Sequence, residues 1–193
     1  MNKRTRDLSY AAFYVALAVA LSYMNTVLPI IQMPNGGSLE LMVIPLFIAS
    51  YHLGWKWGAG IAILAYILGV MLGMHNYMLN FQQVFLDYIG PFLFIGLAAI
   101  TPKMKIGSFT LSNIYTGIVL GMFLKYACHV LAGVYFYFPE GTASGSLAAW
   151  IYSGVTYNLG YNLITLVAAL IIVPILVRRL AKLSSTNFIG LKE

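Results

Sequence analysis

Long apolar runs alternate with short polar or turn-rich connections along the whole 193-residue chain. A helix needs roughly 20 residues to cross the hydrocarbon of a bilayer, and most of the runs approach or exceed that length. The second and third runs are shorter, which predicts helices that tilt against their neighbours or cross a locally thinned bilayer. The pattern predicts an all-α membrane protein with six transmembrane helices, at about residues 8–28, 41–53, 57–72, 84–100, 111–136 and 147–177.

Positive charges divide the connections into two groups. The connections at 29–40, 73–83 and 138–146 contain no lysine or arginine, whereas the alternate connections and both ends of the chain contain them. Because cytoplasmic loops carry the excess of these residues, both termini are predicted to be cytoplasmic. With connections this short, residues 1–193 are expected to form a single domain. The charges that set the orientation are Lys3, Arg4, Arg6, Lys56, Lys103, Lys105, Arg178, Arg179 and Lys182.

Composition narrows the function classes. Hydrophobic residues make up 61% of the chain and charged residues 8%, far below the roughly 25% of a soluble domain. The net charge of +6 is scattered between apolar runs, which is typical of membrane topology and not of nucleic-acid binding. The single cysteine, Cys128, excludes an intrachain disulfide framework, and the sequence contains no phosphate loop, HExxH or GxSxG motif. We therefore expect no catalytic residues, no metal and no cofactor.

Several polar side chains share one predicted depth in the membrane. Lys125 and His129 lie four residues apart in the stretch KYACHVLAGVYFY, and so on one face of a helix. Polar groups at depth in a membrane need a partner or a ligand. Since four separate elements bring polar and aromatic groups to this outer level, we predict a pocket that faces outward. Its other candidates are Glu40, Asp87, Tyr137, Trp150, Tyr152, Tyr157 and Asn158.

The chemistry of this set indicates the kind of ligand. Aromatic faces attract cations, and carboxylates add charge-assisted hydrogen bonds. Two carboxylates among tyrosines and a tryptophan therefore suit an organic cation or a flat heteroaromatic ring. His129 and Asn158 are candidates for orienting ring nitrogens or a hydroxyl group.

Each candidate also has a structural interpretation that spacing alone leaves open. Glu40 is an acidic residue near the start of a helix, where the dipole favours it. Lys125 is placed to form a supporting ion pair inside the membrane with Asp87 or Glu40. His129 is placed to pack as a hydrogen-bonded core residue. The outer tyrosines and tryptophan also match the aromatic belt of a membrane interface.

Small residues recur every four positions in the first helix, at Ala12, Ala16 and Ala20. This spacing lets another helix approach closely in lipid. Either the helix packs within its own chain there, or the alanines form a docking face for a partner membrane protein.

The order of the motifs resembles a known family. After the alanine-rich helix come PNGGSLELMVIPL, QQVFLDY, KYACHVLAGVYFY, PEG and WIYSGVTYN. Over about residues 8–178 this order is similar to the thiamin-specific substrate-binding subunit (the S component of ThiT or YuaJ type) of energy-coupling factor transporters. The resemblance implies a six-helix protein of the bacterial plasma membrane that captures thiamin from outside and is not an enzyme. It also implies three partners: a transmembrane coupling protein and two cytoplasmic ATPases.

The resemblance assigns roles to individual residues by motif. By this resemblance Ala12 and Ala16 would face the coupling protein. The glycine pair of the PNGG loop permits the backbone changes that closure requires, so we expect this loop to act as a lid. We hypothesise that the aminopyrimidine of thiamin stacks on Tyr137 and Trp150 and hydrogen-bonds to Asp87, with the thiazolium near Glu40. Gly133 would give the ligand close access to the backbone. The resemblance carries over all but Trp150 and Tyr157, which come from the aromatic pattern of the last motif. The full set of predicted ligand-binding residues is Glu40, Tyr77, Asp87, Tyr88, His129, Gly133, Tyr137, Trp150, Tyr157 and Asn158.

Two features keep alternatives open. The motif WIYSGVTYN is one residue longer between its first tyrosine and its asparagine than the family pattern, which leaves open whether Trp150, Tyr152 or Tyr157 faces the ligand. The rival functions are capture of a different vitamin and uptake by a standalone proton-coupled carrier. In that carrier the proton site would be His129, Asp87 or Glu40.

Overall fold

The structure is a computed structural model that describes residues 2–28, 30–34, 37–74, 77–183 and 188. In this part of the chain, six helices follow one another in the predicted order. They are α1 (Lys3–Val27), α2 (Val43–Leu53), α3 (Trp55–Met71), α4 (Phe81–Val84, Phe85–Ile89 and Gly90–Gly96), α5 (Asn113–Phe136) and α6 (Leu147–Leu183). The loop residues Asn35, Gly36 and His75 lie outside the described residues.

Three helices are long and apolar enough to cross a membrane: α1, α5 and α6. As the sequence predicts, α2 and α3 are shorter, with 11 and 17 residues. Every residue of α2 from Val43 to His52 is buried. A helix that is apolar on all sides belongs in the interior of a bundle, and here the other helices enclose α2.

A β-hairpin interrupts the helical pattern between α4 and α5, and it departs from the expectation of an all-α protein. Strand β1 (Met104–Ile106) pairs antiparallel with β2 (Phe109–Leu111). The two-residue connection begins with Gly107, whose φ of +60° is favoured in such tight turns. Strands this short give no run long enough to stand out among the neighbouring apolar helices.

The bundle core surrounds α2, and the C-terminal end of that helix is buried within it. Phe47 and Tyr51 of α2 are fully buried there, and the Tyr51 hydroxyl donates to the carbonyl of Ile114 at 3.0 Å. Ser50 accepts a hydrogen bond from the N–H of Ala99, also at 3.0 Å. These bonds fix α2 to the segments on either side of the hairpin.

His52 closes this core at the same end. Its Nδ1 lies 2.9 Å from the hydroxyl of Tyr14, and its ring stacks on Phe188 with centroids 4.4 Å apart. Tyr10 packs against the ring as well, at 4.7 Å. The ring therefore contributes to packing between α1, α2 and the C-terminal segment, as expected for a structural histidine.

Candidate functional site

A cavity of about 480 Å³ lies at the end of the bundle away from Lys3 of α1 and Leu183 of α6. This volume is in the usual range for small-ligand pockets. Nine of the ten predicted ligand-binding residues line it: Glu40, Tyr77, Asp87, Tyr88, His129, Gly133, Tyr137, Tyr157 and Asn158. They come from the connection before α2, the connection before α4, and α4, α5 and α6.

Two helices change their winding beside the cavity. In α4, residues Phe85–Ile89 are π-helical, and the N–H of Gly90 bonds to the carbonyl of Phe85 five residues earlier. Pro91 lies four residues after Asp87 and has no N–H for the regular α-helical bond. The wider turn carries Asp87 and Tyr88 on the cavity wall. In α6, Tyr152–Asn158 is also π-helical. Such turns are rare and are frequently found at functional sites.

Asp87 is held by two donors on one oxygen. The hydroxyl of Tyr137 donates to its Oδ2 at 2.9 Å, and Nε2 of Gln83 donates to the same atom at 3.1 Å. Gln83 also donates to the Tyr137 hydroxyl at 2.6 Å and accepts from the N–H of Leu79 at 3.0 Å. Among the described residues, Asp87 forms no ion pair. Instead of pairing with Lys125, the Asp87 carboxylate therefore accepts hydrogen bonds from two uncharged side chains.

Lys125 pairs with the other carboxylate. Its Nζ lies 2.6 Å from Oε2 of Glu40, and its side chain is fully buried. Nζ also donates to Oδ1 of Asn162 at 2.9 Å and lies 5.2 Å from the ring centroid of Tyr161. The backbone N–H of Glu40 donates to Thr165 at 3.2 Å. Glu40 is thus fixed to α5 and α6, and does not act only as a residue near a helix start.

The charges around the cavity do not cancel. Glu40 and Asp87 contribute two carboxylates and Lys125 one ammonium, so a neutral His129 leaves a net charge of −1. The ion pair satisfies Glu40, and the unpaired charge is that of Asp87. A single cationic group in the ligand would balance the site.

Asn158 is a structural support of the wall. Its Nδ2 donates to the carbonyls of Ser153 (2.9 Å) and His129 (3.3 Å), and its Oδ1 accepts from the Tyr161 hydroxyl at 2.7 Å. The amide nitrogen and one acceptor position of the amide oxygen are therefore engaged by the protein. Tyr161 in turn lies 2.6 Å from Nδ1 of His129. The Nε2 of His129 is buried and makes no hydrogen bond with the described residues, so it is the polar atom here that a ligand would satisfy.

Gly133 has a packing role that the sequence does not reveal. A Cβ built at Gly133 would overlap the hydroxyl of Ser153, which donates to the carbonyl of Val130 at 2.8 Å. The glycine lines the cavity, and it is also a point at which α5 and α6 approach each other closely. Gly133 was expected to give a ligand access to the backbone. It also leaves the space that Ser153 of α6 occupies.

Tyrosine rings form most of the remaining wall. Tyr77 and Tyr137 lie 5.4 Å apart between ring centroids, and Tyr157 contacts Tyr152 and Tyr161 at 6.3 and 6.4 Å. Of the three aromatic candidates in the last motif, Tyr152 and Tyr157 line the cavity. Trp150 does not, and its side chain is 42% exposed on the outside of α6. Its proposed stacking role has no support in this arrangement.

The first long connection borders the cavity. Gln32 and Ser38 form an isolated β-bridge, and the N–H of Met33 donates to the carbonyl of Gly37 at 3.0 Å. Gly37 and Ser38 line the cavity, and Gly37 lies against the ring of Tyr161. The part of the PNGG segment that the structure describes thus lies beside the site.

Six lining residues were absent from the predicted set or left open in it. Phe92 and Tyr161 sit inside apolar or tyrosine-rich runs, where nothing in the sequence distinguishes them. Tyr152 and Ser153 belong to a motif whose register was ambiguous, and the remaining two belong to the PNGG connection. In full they are Gly37, Ser38, Phe92, Tyr152, Ser153 and Tyr161. Gln83 does not line the cavity, but it hydrogen-bonds to the lining residues Asp87 and Tyr137.

A second concave surface is apolar and lies between α1 and the end of α3. Ala12 and Ala16 are exposed on it, whereas the neighbouring Ala11 and Ala18 are buried in the bundle. The alanines at four-residue spacing, Ala12 and Ala16, therefore lie on the face of α1 that is turned away from the chain's own core. The surface is formed by Ala12, Val15, Ala16, Val19, Leu64, Leu68, Met71 and Leu72.

Comparison with known proteins decides the family. Residues 8–185 match the family model described as "Thiamine transporter protein (Thia_YuaJ)". The chain belongs to the thiamine transporter protein family. Family membership and the apolar helices make it a multi-pass protein of the bacterial cell membrane.

Two curated relatives support the membership. Thiamine transporter ThiT of Bacillus subtilis is 30% identical over 187 residues, which cover 91% of this chain and 92% of the relative. Thiamine transporter ThiT of Lacticaseibacillus paracasei is 29% identical over 184 residues, covering 86% and 83%. Members of the thiamine transporter protein family are transporters, which are not a class of enzyme.

A solved structure supports the fold. The structure of ThiT from Listeria monocytogenes superposes on the chain with a TM-score of 0.68 and 22% identity, covering 94% of this chain and 98% of that one. The helical architecture is therefore that of a known member of the thiamine transporter protein family.

Proposed function

We propose that the chain is the thiamin-binding subunit of an energy-coupled transporter, and that it captures the vitamin from outside the cell. In this proposal the single domain of residues 1–193 spans the membrane six times, with both termini in the cytoplasm. The observation that carries the proposal is the convergence of nine predicted residues on one cavity with a formal net charge of −1. Thiamin carries one positive charge on its thiazolium ring and would neutralise the site.

The cavity offers complementary groups to both thiamin rings. The aminopyrimidine would stack among Tyr77 and Tyr137 and donate to the free oxygen of Asp87. The thiazolium would lie near Glu40 and Tyr157, where aromatic faces and the carboxylate attract the cation. Nε2 of His129 would form a hydrogen bond that the protein alone does not provide. Phe92 adds apolar surface to the wall.

The first long connection would act as a lid over this ligand. Gly37 and Ser38 already border the cavity, and Asn25 of α1 donates to Ser38 at 2.8 Å. Closure of a loop over a bound ligand excludes water and slows release. The connection would have to open before the vitamin leaves.

Energy would come from partners. The exposed alanines Ala12 and Ala16 form part of an apolar surface, as expected for close helix–helix contact in lipid. We propose that a transmembrane coupling protein docks there and that two cytoplasmic ATPases drive release. The chain itself would hydrolyse no ATP, because its sequence has no phosphate loop.

Calorimetric titration of the purified protein in detergent tests the ligand. Thiamin is expected to bind with a nanomolar dissociation constant, and riboflavin and biotin to give no heat. Binding of riboflavin or biotin without thiamin binding would show that the vitamin is different. Titration with pyrimidine and thiazole halves separately would show which half supplies the affinity.

Uptake of labelled thiamin into cells tests the coupling. Expression of the chain with its partners should give uptake that stops on ATP depletion and resists a protonophore. Uptake by the chain alone that a protonophore abolishes would instead establish a proton-coupled carrier. Ala16→Leu should reduce coupled uptake while calorimetric affinity for thiamin stays unchanged, because the alanine lies away from the cavity.

A further inference from the structure

The β1–β2 hairpin has two chemically different faces. Paired residues of an antiparallel hairpin lie on the same side of the sheet, as do residues two positions apart in one strand. Met104 pairs with Leu111 and Ile106 with Phe109, so these four apolar residues form one face. Lys105 and its partner Thr110 lie on the other face. We call the first the apolar face of the hairpin.

The apolar face is uncovered. Met104, Ile106 and Phe109 are 51%, 58% and 69% exposed, and no described helix packs over them. In the bundle helices, exposed apolar side chains face lipid and are expected. On a hairpin outside the helices, such a cluster marks an interaction surface.

The hairpin is held close to the helix ends. Only Thr101, Pro102 and Lys103 separate β1 from the helical turn Ala98–Ile100, and only Ser112 separates β2 from α5. The hydroxyl of Thr116 in α5 donates to the carbonyl of Pro102 at 2.8 Å. A base fixed in this way keeps the hairpin at the level where α4 and α5 leave the bilayer.

The charges beside the apolar face suit a lipid surface. Lys103 and Lys105 are exposed, and neither forms an ion pair with a described residue. The sequence from residue 88 to residue 139 contains no acidic residue at all. Amphipathic elements with an apolar face and lysines opposite lie in the plane of the membrane interface, where the lysines reach anionic headgroups.

We propose that the β1–β2 hairpin is a membrane-interface anchor. Met104, Ile106, Phe109 and Leu111 lie at the boundary between headgroups and acyl chains, and Lys103 and Lys105 bind the phosphates of anionic lipids. The anchor fixes the ends of α4 and α5 relative to the bilayer. Because these two helices carry Asp87 and His129, it holds that side of the cavity in place while α1 remains open to a partner.

Spin labelling in vesicles tests the anchor. Single cysteines at the adjacent positions Phe109→Cys and Thr110→Cys are introduced in a Cys128→Ser background and labelled with a nitroxide. Ile106→Cys, on the same face as position 109, serves as a second reporter. Gel filtration and circular dichroism establish that each labelled protein is folded. Collision with oxygen, which dissolves in hydrocarbon, is compared with collision with a water-soluble nickel chelate.

The expected result is opposite accessibility at neighbouring residues. Labels at 106 and 109 should collide mainly with oxygen, and the label at 110 mainly with the nickel chelate. Equal nickel accessibility at 109 and 110 in vesicles would overturn the anchor. Protection of 109 from nickel only after partner subunits are added would also overturn it, since a protein would then cover the face.

The lipid charge is tested separately. The label at 109 should lie deeper in vesicles with anionic phosphatidylglycerol than in purely zwitterionic phosphatidylcholine. The double variant Lys103→Gln, Lys105→Gln should remove that difference. A depth that depends on neither lipid charge nor the two lysines would overturn the proposed contact with phosphates.

Discussion

Nζ of Lys125 lies 2.6 Å from Oε2 of Glu40, and this ion pair joins α5 to the connection that leads into α2. A site for a cation has little direct use for a lysine among its walls. Here the lysine is buried behind the carboxylate, where it neutralises one of the two acids and leaves Asp87 as the unpaired charge. The pair is therefore a support of the cavity as well as part of its charge balance.

Breaking the Lys125–Glu40 pair should cost stability. Lys125→Met leaves a partly buried carboxylate without its counter-ion, and we expect a loss of about 1–3 kcal/mol in the free energy of unfolding. The double variant Lys125→Met, Glu40→Gln should be more stable than Lys125→Met alone. Denaturation of the wild type, both single variants and the double variant measures the coupling. Purely additive effects would contradict a direct interaction.

Asp87→Asn should weaken thiamin binding at least tenfold, or about 1.4 kcal/mol, because it removes the unpaired negative charge. Glu40→Gln should also weaken binding at least tenfold, since it leaves Lys125 as an uncompensated cation near the thiazolium. Calorimetry measures both. A thiamin analogue with an uncharged second ring provides the control, and it should lose less affinity on the Asp87 change than thiamin does. Wild-type thiamin affinity in both variants would show that neither carboxylate contributes to thiamin binding.

Gln83 should affect affinity although it is not a wall residue. Gln83→Leu removes the donor that Oδ2 of Asp87 and the Tyr137 hydroxyl share, so we expect about tenfold weaker thiamin binding. The matched control is Gln82→Leu, because Gln82 is the adjacent glutamine and is exposed. A Gln83 variant that loses thermal stability but keeps its thiamin affinity would show a role in packing alone.

Gly133→Ala should destabilise the contact of α5 with α6 by about 1–3 kcal/mol, because the added methyl group meets Ser153. Ser153→Gly removes both side-chain atoms that the methyl group would meet. The double variant should therefore recover part of the loss in thermal unfolding measurements. Failure of Ser153→Gly to restore any stability would place the conflict elsewhere.

Trp150→Phe should leave thiamin affinity within about twofold of wild type, since the tryptophan lies outside the cavity. Tyr157→Leu removes an aromatic ring from the cavity wall, so it should weaken thiamin binding about tenfold. Both values come from the same calorimetric titration. A tenfold loss in the Trp150 variant would show that this side chain enters the site when the ligand binds.

The sequence was most informative where a residue contrasts with its surroundings. Asp87 and His129 are polar residues in apolar runs, and both line the cavity. Gln83 follows a polar connection, so it is not distinguished from a solvated residue, yet its side chain is fully buried. Burial of a polar group depends on contacts from other helices, which one segment of sequence does not contain.

The π-helical turns and the β-hairpin were harder to predict from the sequence than the helices. The periodicity of an apolar run predicts a helix but does not separate α-helical from π-helical turns, so Trp150, Tyr152 and Tyr157 could not be ranked. The hairpin carries a readable signal in retrospect: apolar and polar residues alternate on both sides of Gly107. Its strands of three residues were hidden by the apolar helices that flank them.

The π-helical turn at Tyr152–Asn158 has a consequence for comparing relatives. A π turn contains one residue more than an α turn, so an inserted residue is absorbed there without rotating the rest of the helix. From the sequence we predict one residue more than the family pattern at the same place. We therefore expect positions before and after the turn to be offset by one in an alignment, so that Tyr152 is matched from the residues before the turn and Asn158 from those after it.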